Sequence, residues 1–182
     1  FRKLSPNAPV LFFSAQNVKK WRPPPFSWFE KYVLDRGDLC LAMNHEVDGI
    51  LRDKGWRGRT EVLPLGIDPA AYEIKESPLE AKARLGFSGT VIAFLGKFDA
   101  QKGVVDLIDA VDGLESAQPF SLVLAGAGPQ QRELEERLAR MRAPYRLMPP
   151  VPHSEVPAWL NAADIVVMPS RTMPKLKEQF GR

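Results

Sequence analysis

The sequence predicts an α/β protein built on wound parallel sheets, and two observations carry that expectation. Short, nearly continuous apolar runs recur along the chain and end in small or turn-forming residues, the pattern of strands buried on both faces of a parallel sheet. Between them lie segments whose apolar residues return every three or four positions, as in helices that cover such a sheet.

The first strand is predicted in PVLFFS (9–14), the second in LCLAM (39–43) and the third in TEVLPL (60–65). After the second, Asn44 is placed to cap a helix running to about Lys54. The segment GIDPAAYEIKES (66–77) then loses all periodicity and carries Gly66 and Pro69, which predicts a domain boundary. Residues 1–65 hold about three strands, too few for a complete doubly wound domain, and read as the end of an N-terminal domain. Residues 66–77 read as a linker and 78–182 as a second, C-terminal domain. There, Ser77, Pro78 and Glu80 form a capping-box start for a short helix that Gly86 can end. Its strands are predicted in TVIAFLG (90–96), SLVLAG (121–126) and DIVVMPS (164–170). Val104, Leu107, Ile108 and Val111 mark one helix face; Leu134, Leu138 and Met141 mark another, with Pro129 where a first turn tolerates proline. RPPPF (22–26) reads as a local polyproline turn, and no internal repeat is visible.

Composition narrows the function classes. The 182 residues are 45% hydrophobic, yet no apolar run approaches the roughly 20 residues of a membrane span. Cys40 is the single cysteine and no basic stretch leads into an apolar segment at the start, so neither a disulfide framework nor a signal peptide is expected, and a cytoplasmic setting is. With His45 and His153 scattered far from Cys40 and from each other, a structural metal cluster is not expected either. A formal charge of +3 suits an anionic ligand or an anionic membrane surface, but ordinary solvated faces produce it as well. No nucleic-acid partner is expected.

The chemistry concentrates in two strand-to-helix turns. In FLGKFDAQKG a buried strand runs into Gly96 and Lys97, followed by Lys102, Gly103 and a helix beginning near Val104. This puts two ammonium groups and a helix N-terminus at the carboxyl end of a parallel strand, where open α/β sheets bind ligands and helix N-termini favour phosphate. Two ordinary surface lysines on a solvated turn would look the same. In LVLAGAGPQQREL, Gly126, Ala127 and Gly128 let a backbone come close to a ligand or simply turn tightly, and G-A-G-P is not the dinucleotide fingerprint.

Taken in order, FLGKFDAQKGVVDLIDAV, LVLAGAGPQQRELEERL, VPHSEVPAWLNAADIVVMPS and KEQFGR resemble the donor-binding domain of the retaining, GT-B-fold glycosyltransferases of family 4 (glycosyltransferase group 1). AQNVKKWRPPPFSWFEKYVL, DLCLAMNHEVDGILRDKGWRGRTEVLPLGIDPAAY and the connection Pro64, Leu65, Gly66, Ile67, Asp68 resemble the end of its acceptor domain and the passage into the donor domain. The resemblance implies two Rossmann-like doubly wound domains, both incomplete in this chain. It also implies transfer of a sugar from a nucleotide-diphosphate sugar, without a metal or other cofactor, to a carbohydrate or lipid-linked acceptor in polysaccharide or glycolipid biosynthesis. Such an acceptor leaves room for peripheral association with the inner face of a membrane.

Residue by residue, the resemblance puts the basic pair that meets the donor diphosphate on Lys97 and Lys102, with Gly96 and Gly126 giving backbone access, and the contact with the nucleotide base around Val151 and Pro152. Lys97 stands where arginine is common, keeping the charge without the bidentate fork. Glu178, with Phe180 and Gly181, matches the first half of a paired-glutamate motif that holds the donor sugar; the second glutamate would fall four positions past Arg182. From this the isolated chain is expected to lack transferase activity. Gln16 and Asn17 stand where many relatives carry a histidine, so no acceptor-side acid or base is assigned. A nucleotide-binding module without catalysis and a sugar-nucleotide epimerase of similar architecture are the alternative readings.

Overall fold

The computed structural model describes residues 8–115, 118–174 and 177–178. It divides into two compact units, Phe1–Ile67 with Met173–Arg182, and Asp68–Thr172.

In the first unit, β1 (Leu11–Ser14), β2 (Leu39–Ala42) and β3 (Arg59–Val62) form a parallel sheet in the order β1-β2-β3. Helices α1 (Phe26–Arg36) and α2 (His45–Asp53) make the crossovers that parallel strands require. Asn44 caps α2 as its position predicts, its Oδ1 accepting from the Val47 N–H at 3.0 Å. Cys40, Ala42, Met43, Val47, Leu51 and Trp56 form the core. The Trp56 indole is wholly enclosed because its Nε1 donates to Thr60 Oγ1 at 3.0 Å and the Phe12 ring meets it edge-on. RPPPF is more than a polyproline turn, since it leads directly into α1 at Phe26.

In the second unit, α3 (Pro78–Leu85) starts at the predicted capping box, with Ser77 and Glu80 satisfying each other's backbone N–H, and stops at Gly86 in the left-handed region. Then come β4 (Thr90–Leu95), α4 (Val104–Asp112), β5 (Phe120–Ala125), α5 (Gln131–Leu138), β6 (Tyr145–Met148), α6 (Val156–Ala162) and β7 (Ile165–Val166). All four strands are parallel, in the order β6-β5-β4-β7. Strands β4 and β5 are buried on both faces. Ile92, Phe94, Leu122 and Leu124 point into one core layer with α4 and α5, while Val91, Ala93 and Val123 point into a second beside Trp159 of α6. Each of the Val, Leu, Ile and Phe side chains among them contributes about 1.5–3 kcal/mol on burial.

Three expectations need correction. The run 164–170 pairs only over Ile165–Val166, which lie half-exposed at the sheet edge. Strands β1 and β3 are likewise not buried on both faces. Strand β6 is not expected from the sequence because YRLM carries Arg146, a polar residue in a short run. The structure accommodates it: the guanidinium lies 4.2 Å from the Phe87 ring centroid and donates to the Leu85 carbonyl at 2.6 Å. Among the described residues no helix is long and apolar enough to cross a membrane.

Candidate functional site

Counted within its own unit, the second sheet runs 3-2-1-4, the beginning of the doubly wound order. The chain steps from β4 through β5 to β6 on one side and returns to β7 on the other, so the order reverses at β4. In open α/β sheets the crevice outside the carboxyl ends at such a reversal is where ligands bind. Because the four strands are parallel, the loops carrying Gly96, Lys97, Lys102, Gly126, Val151 and Pro152 all leave from that one edge.

The loop after β4 is built on an inward anchor. Gly96 extends the ladder, its N–H donating to the Ala125 carbonyl at 2.9 Å. Phe98 is fully buried beside Phe94, and its N–H donates to the Ala127 carbonyl at 3.0 Å. With Phe98 turned in, Lys97 faces solvent, its side chain 65% exposed. Asp99, to which the sequence motif assigns no part, organises the turn that carries Lys102. One carboxylate oxygen accepts from the Lys102 N–H at 3.1 Å and caps the 3-10 turn Ala100–Lys102; the other lies 3.5 Å from Lys97 Nζ. Its signal is an aspartate three positions before Lys102, the spacing of a side-chain cap. Gly103 then takes φ +65° and admits α4, whose first residue, Val104, is buried.

The glycines after β5 serve packing against the neighbouring loop. A Cβ on Gly126 would come within 1.8 Å of the Gly96 carbonyl oxygen, and one on Gly128 within 2.2 Å of the Phe98 carbonyl oxygen. Both residues are therefore needed where the two loops lie backbone against backbone. A Cβ on Gly96 would meet only the Phe94 ring, at 3.4 Å.

In the loop after β6, Val151 packs against the core layer of Val91, Val123 and Trp159, while Pro152 is exposed and its carbonyl accepts from the Glu155 N–H at 2.9 Å. Glu178 is described within the first unit. There the buried Asn17 amide donates to the carbonyls of Lys177 and Glu178 at 3.1 and 3.0 Å, and Lys177 Nζ reaches Glu46 at 2.5 Å. Phe180 and Gly181 lie outside the described residues. The edge at β4 thus offers an exposed ammonium, a capped turn and the start of a nine-residue helix, a set suited to holding an anion.

Comparison with known proteins points the same way. The family model for glycosyl transferases group 1 matches residues 89–181. The chain is 32% identical over 170 residues to the 2-deoxystreptamine glucosyltransferase of Streptomyces kanamyceticus, a match covering 88% of this chain and 44% of that protein. It is 29% identical to a lipopolysaccharide core biosynthesis mannosyltransferase of Rhizobium meliloti, covering 79% of this chain and 42% of that one. It spans under half the length of these relatives. Among solved structures it resembles HepE of Anabaena in complex with UDP and glucose, with a TM-score of 0.69 at 18% identity over 89% of this chain and 46% of that one, a likeness of fold. With parallel α/β units of GT-B type and a family match over half its length, the chain belongs to the glycosyl transferases group 1.

Proposed function

We propose that this chain supplies the donor side of a retaining glycosyltransferase of family 4, which moves a sugar from a nucleotide-diphosphate sugar to a carbohydrate or lipid-linked acceptor. The carrying observation is the reversal of strand order at β4, which sets Lys97, Lys102 and the start of α4 at one edge. In this reading Asp68–Thr172 carries the diphosphate part of the donor site and Phe1–Ile67 belongs to the acceptor side. The activities for which the relatives are named, a glucosyltransferase and a mannosyltransferase, support the reaction type, and the UDP and glucose held by HepE support the donor class.

Breaking the bond between the sugar and the diphosphate builds negative charge on the departing phosphate oxygens. Cations and backbone N–H groups fixed before the reaction stabilise that charge more in the transition state than in the ground state. We assign this part to Lys97 and Lys102, a role that requires no metal ion. Gly96 leaves backbone access at the floor of the site, Gly126 lets the two loops lie in register beneath it, Val151 and Pro152 border the base, and the family motif assigns Glu178, followed by Phe180 and Gly181, to the sugar hydroxyls. A unit charge about 4 Å from a phosphate oxygen interacts by roughly 4 kcal/mol at an effective dielectric near 20 before desolvation, so loss of both lysines is a large change. A cytoplasmic setting, at or near the inner face of a membrane, completes the reading; the single cysteine, Cys40, is a buried free thiol, as suits a reducing compartment.

Calorimetric titration of UDP-glucose and GDP-mannose into the chain, and into a Lys97→Ala, Lys102→Ala double variant, tests the assignment. Binding by the unaltered chain and its loss in the variant are expected. Equal affinity in both would remove the two lysines from the site. Because the chain spans under half the length of its relatives, donor binding without turnover is expected of the 182 residues alone.

A further inference from the structure

Arg171, in the loop after β7, reaches back to the start of α4. Its backbone N–H donates to the Gln101 carbonyl at 2.7 Å, and its guanidinium makes a two-pronged pair with the Asp106 carboxylate, Nε to Oδ2 at 2.6 Å and Nη2 to Oδ1. Close by, the Pro169 carbonyl oxygen fills the space a Cβ on Gly103 would take, at 2.2 Å. The loop after β7 is thereby clamped to the turn that carries Lys102. Neither lysine of the sequence motif makes this contact, and nothing in the spacing of Asp106 and Arg171, 65 residues apart, announces it.

The pairing solves an electrostatic conflict. Asp106 stands in the first turn of α4, where a carboxylate suits the helix but opposes any anion brought to the same N-terminus. A planar guanidinium matched to both oxygens offsets that charge and holds it in a fixed direction, which an ammonium cannot do bidentately. Resting on the donor-site reading above, we propose that Arg171 is a positioning residue of the diphosphate site: held beside the Lys102 turn by its backbone, it neutralises Asp106 without touching the donor.

The experiment is calorimetric titration of uridine diphosphate into the chain and its variants, with thermal unfolding as the check on folding. Arg171→Gln keeps hydrogen-bonding capacity and removes the charge, and weakens binding on the order of five- to twentyfold by exposing the anion to Asp106. Adding Asp106→Asn to it returns the affinity to within about threefold of the parent, because the opposing charge is gone. Asp106→Asn alone binds at least as tightly as the parent. The deficit of Arg171→Gln shrinks at high salt, as a charge effect must. A merely structural role predicts a lowered melting temperature, no rescue and no salt dependence, and that outcome overturns the proposal, as does unchanged affinity in Arg171→Gln. Lys97→Ala separates the two levels: if it weakens binding and Arg171→Gln does not, the donor site stands and this inference falls. If the unaltered chain does not bind the diphosphate, both fall.

Discussion

The runs LFFS in β1 and TVIAFL in β4 look alike as sequence, yet they have different fates. In β4 the inner residues are buried on both faces, because α4 and α5 form one layer and α6 contributes to the other. In β1 the pattern alternates, with Leu11 and Phe13 about half-exposed, and the unit has one core cluster among its described residues. Helix α1 shows the same imbalance: Leu34 is buried, whereas Phe26, Trp28, Phe29 and Tyr32 face out. An apolar run therefore states that a strand is able to be buried twice. Whether it is depends on layers supplied from elsewhere in the chain.

The strongest way to break this comparison is Phe98→Ala. The ring is fully enclosed in the second unit, and its removal is expected to cost about 3–5 kcal/mol. Hydrogen exchange read by mass spectrometry in rising urea should show β4 and β5 opening earlier while β2 is unmoved. Equal loss in both units would mean that they unfold as one, and the contrast would have no energetic content.

Cys40 sharpens the other half. Its thiol is buried in β2, and burial, with Asp48 adding to it, holds its pKa above the usual cysteine value. Alkylation by iodoacetamide is expected to be slowed about a hundredfold relative to the unfolded chain and to accelerate at urea concentrations that leave β4 and β5 protected. Labelling that waits for the second unit to open would reverse the predicted order.

A smaller effect comes from Asp164, at the start of β7. Its carboxylate accepts from Lys82 Nζ at 2.5 Å and from the Val91 N–H at 2.7 Å, which lowers its pKa below the ordinary 3.8, with the lysine contributing most. A depressed carboxyl stabilises the fold fully above its unfolded value and loses that stabilisation as pH falls through its lower folded value. The second unit should therefore lose stability more steeply below about pH 4 than an Asp164→Asn variant does. With the carboxylate 40% exposed the difference is expected to stay under about 1 kcal/mol. Parallel acid-unfolding curves for the two proteins would refute the assignment.

The least expected change is at Trp28 and Phe29. Replacing either with serine should alter stability by no more than about 0.5 kcal/mol, since both side chains are largely exposed, while lowering light scattering at high concentration. A loss near that of Phe98→Ala would place these aromatics in a packed layer after all.

The same physics explains what the sequence revealed and what it hid. Caps are local, so Asn44 and the Ser77–Glu80 box could be read directly and stand where expected. The α4 face of Val104, Leu107, Ile108 and Val111 was equally readable, because four buried residues at helical spacing leave little choice. Strand β6 was hidden because Arg146 finds its ring and its carbonyl about 60 residues away. At the site, Lys97, Lys102 and the glycines were visible as a strand-turn-helix pattern, but the pattern could not distinguish a glycine that opens room for a ligand from Gly126, which makes room for Gly96. Asp106 and Arg171 were invisible for the reason β6 was: each is an ordinary surface charge until the fold brings the other to it.

The backbone-to-backbone seam formed by Gly126 and Gly128 against Gly96 and Phe98 bears on how such a site can diversify. Any side chain introduced on the β5 loop would be felt as a displacement of the β4 loop, and so of Lys97, before it could contact a ligand. The seam is closed to gradual tinkering. Under the donor-site proposal, new preferences for one nucleotide sugar over another would arise at outward positions such as the exposed Pro152, where a substitution leaves the seam in register.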